Sequence, residues 1–154
     1  MNLIIETPED IPKLFAEFWN KRNARGIANL FTENAEFVNV VGLWWHDREA
    51  IFKAHDYGLK NIFNNSTLEL RKIKTKLLSP SVAVVNVRFK LSNQTSVSDV
   101  KNPGLRQNIF TFVLQKSESS WLCVAAQNTD IVPGKETHVV DNEGNIKAVD
   151  YRKS

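Results

Sequence analysis

A chain of 154 residues with a formal charge of +3 and one cysteine has the length of a single domain. It cannot form an internal disulfide, and it has no apolar run long enough for a membrane-spanning helix. Nor does it show the concentrated basic face of a nucleic-acid binder or the basic-then-apolar start of an export signal, so no nucleic-acid partner, no membrane and a cytoplasmic setting are expected.

Thr7-Pro8-Glu9-Asp10 reads as a helix start, with Thr7 as cap and acids at the positive end of the helix. Ile11, Leu14, Phe15, Phe18 and Trp19 give that helix one apolar face. Asn23 offers a break and a new cap. A short second helix through Ile27, Leu30 and Phe31 is expected to end at Thr32-Glu33-Asn34. A strand follows over 35–41, with Phe37, Asn39 and Val41 on one face, and Gly42 breaks it. Asp47 is a plausible cap for a third helix whose stripe is Ile51, His55, Leu59 and Ile62. His55 is thereby placed on the apolar side.

From residue 67 the pattern changes to strands, over 67–78, 82–91, 106–116 and 121–130, with turn chemistry at Ser79-Pro80-Ser81 and Ser117–Ser120. Short turns imply antiparallel pairing. The segment 92–105 is long and polar for a hairpin connection and suits a rim or lid. Residues 1–134 are expected to form the domain and 135–154 a polar tail with a possible extra hairpin around Asp141–Asn145. The order predicts an α+β fold, with about three N-terminal helices wrapping one face of a curved antiparallel sheet. The later strands are apolar on both faces, which predicts a homodimer through the outer sheet face; the rival is a monomer capped by its own tail.

Three neutral amides, Asn39, Gln127 and Asn128, sit in stretches that look fully buried, which is costly unless the protein or a ligand bonds them. Gln127 and Asn128 must point to opposite sides of their strand, so at most one faces a pocket. Trp44 and Trp45 stand at the strand-to-helix corner, where one suits the core and the other a pocket wall. His55 has the pKa range for proton transfer. Asp130 is a candidate acid/base group or a turn cap. Arg88 faces either a carboxylate or solvent. Lys72, Lys74 and Lys76 share a strand face, read as a solvated edge rather than a phosphate stripe. Cys123, inside an apolar run without basic neighbours, reads as a packing thiol. His46, His55 and His138 are too scattered for a metal site, and no Gly-rich phosphate loop is present, so neither metal nor cofactor is expected.

The helix ending Gly26–Phe31, the strand Ala35–Val41, the block Gly42–Ile51 with its double tryptophan, and the late Ala125–Gly134 resemble the NTF2-like (SnoaL-like) superfamily, nearest its SgcJ/EcaC-type, DUF4440-related branch, over residues 8–134. The resemblance implies a cone: a bent sheet wrapped by helices, a pocket inside and dimerisation on the outer sheet face. It implies no single chemistry, because the scaffold hosts isomerases, cyclases, dehydratases and pure binding domains. Where ketosteroid isomerase has an Asp base and a helical Tyr, this chain has Asn39 and about Phe15, which removes that route. The expected function is a dimeric binder of a small, largely apolar cyclic molecule. Acid/base chemistry would use His55 or Asp130, with ligand contacts from Asn39, Trp44, Trp45, Arg88, Gln127 and Asn128. A non-catalytic association domain is the alternative.

Overall fold

The computed structural model describes residues 3–153. Helix α1 spans Asp10–Asn20 and buries Ile11, Phe15, Ala16 and Trp19. Thr7 does not cap it with its side chain. Instead the Asp10 carboxylate accepts the Thr7 amide, and the Thr7 carbonyl accepts the Asp10 amide. Helix α2, Ala24–Ala28, is capped by Asn23, whose side chain accepts the Gly26 amide at 2.8 Å. It ends sooner than its sequence suggests. Strand β1, Phe31–Val38, already contains Phe31 and Thr32-Glu33-Asn34, because Phe31 pairs with Cys123 of the last long strand. Strand pairing overrides local helix propensity at that point.

A two-residue strand β2, Trp44–Trp45, folds back on β1 through a turn in which Gly42 has φ +88°, a value that favours glycine. Helix α3, Arg48–Lys60, begins at Asp47, whose carboxylate accepts the Ala50 amide at 2.7 Å, and buries Ile51, His55 and Leu59. Four long strands follow: β3 Thr67–Ser79, β4 Val82–Ser92, β5 Arg106–Ser117 and β6 Ser120–Asp130. The sheet order is β2-β1-β6-β5-β4-β3. Every pair is antiparallel except β1 with β6, so the sheet is mixed rather than wholly antiparallel.

The helices cover the inner face of the sheet. There Ala83, Val85, Val87, Phe89 and Leu91 of β4 alternate with exposed or half-buried residues, and Asn108, Phe110, Phe112 and Leu114 do the same in β5. In β6 the alternation changes hand. Leu114 pairs with Cys123 but Val113 pairs with Ala125, so Val124 is an extra, bulged residue. Trp121 and Cys123 face inward before the bulge, and Ala126 faces inward after it. Burial pushes the Cys123 thiol up, far from the range of a reactive thiolate.

The loop 93–105 is tied to the turn after α3 by the Thr95 amide on the Ile62 carbonyl and by the Thr95 hydroxyl on Asn64. Beyond the sheet, β7 (Thr137–Val140) and β8 (Ile146–Val149) form a separate antiparallel hairpin. No helix among the described residues is long and apolar enough to cross a membrane.

Candidate functional site

Between α1, α3 and the inner sheet face lies a cavity of about 110 Å³. Apolar cavities of about 150 Å³ take up benzene, so the free space is on the scale of one ring. Its walls are aromatic: Phe15 and Trp19 from α1, Phe37 from β1, Trp45 from β2 and Phe110 from β5. Each lies on the buried face of its element because the apolar period of that element puts it there.

His55 is set among these rings. Its ring centroid lies 5.4 Å from that of Phe37, and 5.8 Å from those of Phe15 and Trp45. Its Nδ1 lies 2.8 Å from the Ile51 carbonyl oxygen, one helical turn back. A carbonyl only accepts, so Nδ1 carries the proton. Burial lowers the His55 pKa from 6.5 to about 4, against the smaller opposing effect of the Ile51 carbonyl. The imidazole is therefore neutral at pH 7, with Nε2 unprotonated and without a partner among the described residues. It can accept a hydrogen bond, or a proton, from a guest.

The other end of the cavity is polar. Arg106 and Asn108 of β5 and Asn128 of β6 line it. Asn108 is paired with Asp130 across the two strands, and Asn128 with Phe110, which brings all four side chains to the inner face. Arg106 Nη1 donates to Asp130 Oδ2 at 3.1 Å, with the two side chains 31% and 34% exposed, so this ion pair marks the mouth. The charges there offset one another. Four buried atoms at this end have no hydrogen-bond partner: Arg106 Nε, Asn108 Oδ1, Asn128 Oδ1 and Asp130 Oδ1. Buried polar atoms are almost always paired, and leaving one unpaired costs about 1–3 kcal/mol. Two of the four belong to the Arg106–Asp130 ion pair, and all four are atoms that an ordered water or a guest would pair with.

The sequence candidates divide sharply. Trp45, His55 and Asn128 line the cavity, and Asp130 stands at its mouth behind Arg106. Asn39 also lines it but lies just past the end of β1. Its Oδ1 already accepts the amides of Val41 and Leu43, so only its Nδ2 is left for a guest. Trp44, Arg88 and Gln127 are outside the cavity. Trp44 is on the outer face, where its Nε1 donates to Glu36 Oε2 at 2.6 Å. Arg88 and Gln127 are exposed, Arg88 opposite Lys72 and Gln127 opposite Thr111. Arg106 and Asn108 escaped the reading of the sequence. Their signal was the period of two that joins them to Phe110, Phe112 and Leu114. Among the described residues no group of three His, Cys, Asp or Glu side chains is placed to hold a metal ion.

No family model matches the chain, and no curated protein matches it in sequence. Solved structures do. An uncharacterised protein with a cystatin-like fold from Caulobacter vibrioides is 25% identical with a TM-score of 0.74, over 81% of this chain and 87% of that one. A scytalone dehydratase candidate from Novosphingobium aromaticivorans is 15% identical with a TM-score of 0.69, over 80% and 81% of the two chains. An NTF2-like protein with a cystatin-like fold from the same organism is 12% identical with a TM-score of 0.64, over 81% and 80%. The helices on one face of a curved, open, mixed sheet, and this agreement with solved structures, give the chain the cystatin-like α+β fold, the cone that the NTF2-like neighbour also has.

Proposed function

We propose that the cavity binds a small, uncharged, single-ring molecule with polar groups at two ends. The observation that carries this is a ring-lined space with the free Nε2 of His55 at one end and the side chains of Arg106, Asn108 and Asn128 at the other, where buried Arg106 Nε, Asn108 Oδ1 and Asn128 Oδ1 have no partner among the described residues. A flat ring suits the aromatic walls. A hydroxyl on the guest would donate to His55 Nε2, and a carbonyl would accept from Arg106 Nε, the unpartnered donor at the mouth, while the unpartnered oxygens of Asn108, Asn128 and Asp130 would take a donor from water carried in with the guest. A carboxylate is disfavoured because Asp130 already occupies Arg106. Any reaction there would be proton transfer. His55 would act as the acceptor, being unprotonated at pH 7, and the Asn108 and Asn128 amides would orient the oxygen on which charge develops.

The protein is proposed to work as a homodimer joined through the outer sheet face. A groove there is lined by Val38, Trp44, Ile109, Val113 and Ala125, with Trp44 59% and Ile109 37% exposed. We assign it to the SgcJ/EcaC-type, DUF4440-related branch from the double tryptophan and the Gln127–Gly134 block, with cytoplasm as its proposed setting.

The test is a titration of the 15N-labelled protein with 4-hydroxyacetophenone, acetophenone and 4-hydroxybenzoate. The reading predicts saturable shifts of the Trp19 and Trp45 indole and Asn108 and Asn128 amide signals with the first compound. Removing the hydroxyl or adding the charge should weaken binding by about tenfold, the worth of one hydrogen bond. Shifts that never saturate, or the same affinity for all three, would remove it.

A further inference from the structure

The hairpin β7–β8 forms a two-stranded sheet of its own, separate from the six-stranded sheet. Every hydrogen bond and ion pair described for residues 135–149 is made within residues 132–152. Val140 and Ile146 are directly paired, so they share a face, and they are 66% and 69% exposed. A two-stranded hairpin is marginal in water unless its apolar side packs on something. Residues 136–150 carry four carboxylates and one lysine, a net charge of −3.

The outer sheet face offers the complement. Lys72 lies opposite Arg88, Lys74 opposite Asn86 and Lys76 opposite Val84, which gathers Lys72, Lys74, Lys76 and Arg88 on one surface. None of these four forms an ion pair among the described residues. Residues 67–92 carry six cations and one carboxylate, a net charge of +5. Beside the cations run apolar residues, with Val84 opposite Val113 and Arg88 opposite Ile109. An arm of two four-residue strands and a five-residue turn is about 20 Å long, enough to lie across the three strand spacings, about 14 Å, of a sheet face such as β6 to β3.

We propose that the C-terminal hairpin is an exchange arm that lies across the outer sheet face of a second copy of this chain. Val140 and Ile146 pack on Val82 and Val84 of that copy, beside the Ile109–Val113 groove where the sheet faces meet, and the carboxylates of the arm meet its Lys72, Lys74, Lys76 and Arg88. In a twofold dimer each protomer gives one arm and receives one. The inference rests on the dimer reading above and adds to it which segment covers the face.

The test mixes full-length natural-abundance and 15N-labelled chains, couples carboxylates to amines with a zero-length carbodiimide, and reads the linked peptides by mass spectrometry. Links from Glu136, Asp141 or Glu143 to Lys72, Lys74 or Lys76 are expected, about half of them joining a labelled to an unlabelled chain. Links confined to one isotope would show the arm folding onto its own sheet and would overturn the proposal, as would no link between these segments. Sedimentation of a Val140→Asp/Ile146→Asp double variant separates the two readings. Dimer affinity at least tenfold weaker, with the melting temperature of the domain unchanged, is expected. An unchanged dimer overturns the arm and leaves the sheet-face dimer standing, whereas a wild-type chain that is monomeric at every concentration overturns both.

Discussion

His55 concentrates the physical chemistry of the site in one side chain. It is buried among aromatic rings and is held neutral, with a pKa of about 4 against 6.5 for the free group. The unfolded chain therefore takes up a proton at His55 below pH 6.5 while the folded one does not until about pH 4. Its neutral burial is fully tolerated above pH 6.5, and stability is lost as pH falls from 6.5 through 4, by about 3 kcal/mol in all. Urea unfolding of wild type and His55→Phe at pH 7.5, 5.5 and 4.5 checks this: the variant should lose less stability than wild type over that interval, and parallel profiles would refute it. The place of His55 was legible because α3 has a clean apolar stripe. Which of Gln127 and Asn128 faces inward was not, since the answer depends on the extra residue at Val124, and a bulge leaves no mark in a run such as Trp121–Ala126. Asn39 lines the cavity, but its carboxamide oxygen is engaged locally. Its amide satisfies the turn around Gly42, a local use that looks the same in sequence as a ligand contact.

At the scale of elements, the four long strands and α3 follow from period, caps and turn residues. Asp47 illustrates how local the control is: one carboxylate on the Ala50 amide fixes the start of α3 and so the register that points His55 into the cavity. Asp47→Ala should cost about 1 kcal/mol of stability in chemical denaturation. It should also weaken binding at the cavity, whereas Asp47→Asn should restore most of both. A stability loss near zero would mean that tertiary packing alone sets the helix start. The early onset of β1 was not legible. Leu30 and Phe31 fit a helical face as well as a strand, and only the pairing of Phe31 with Cys123, some ninety residues away, decides between them. Phe15 shows what the core demands of its elements. It lies within 5.3–6.2 Å, between ring centroids, of Trp19, His55, Phe89, Phe110 and Phe112. Phe15→Ala should cost about 3–5 kcal/mol in the same measurement, and a loss below 1 kcal/mol would show that the cavity had collapsed to fill the gap.

At the scale of the whole molecule, the cone is a compromise between packing and vacancy. The inner sheet face fills most of its space with rings, and at the mouth it carries the polar side chains of Arg106, Asn108, Asn128 and Asp130. That trade gives the central claim its most direct measurement: the melting temperature and the affinity for 4-hydroxyacetophenone of Asn108→Leu and Asn128→Leu, set beside wild type. Leucine has similar bulk and needs no partner, so the account predicts a melting temperature at or above wild type together with binding weakened by about tenfold. A lower melting temperature with unchanged binding would contradict it, because the two amides would then serve the fold and not a guest.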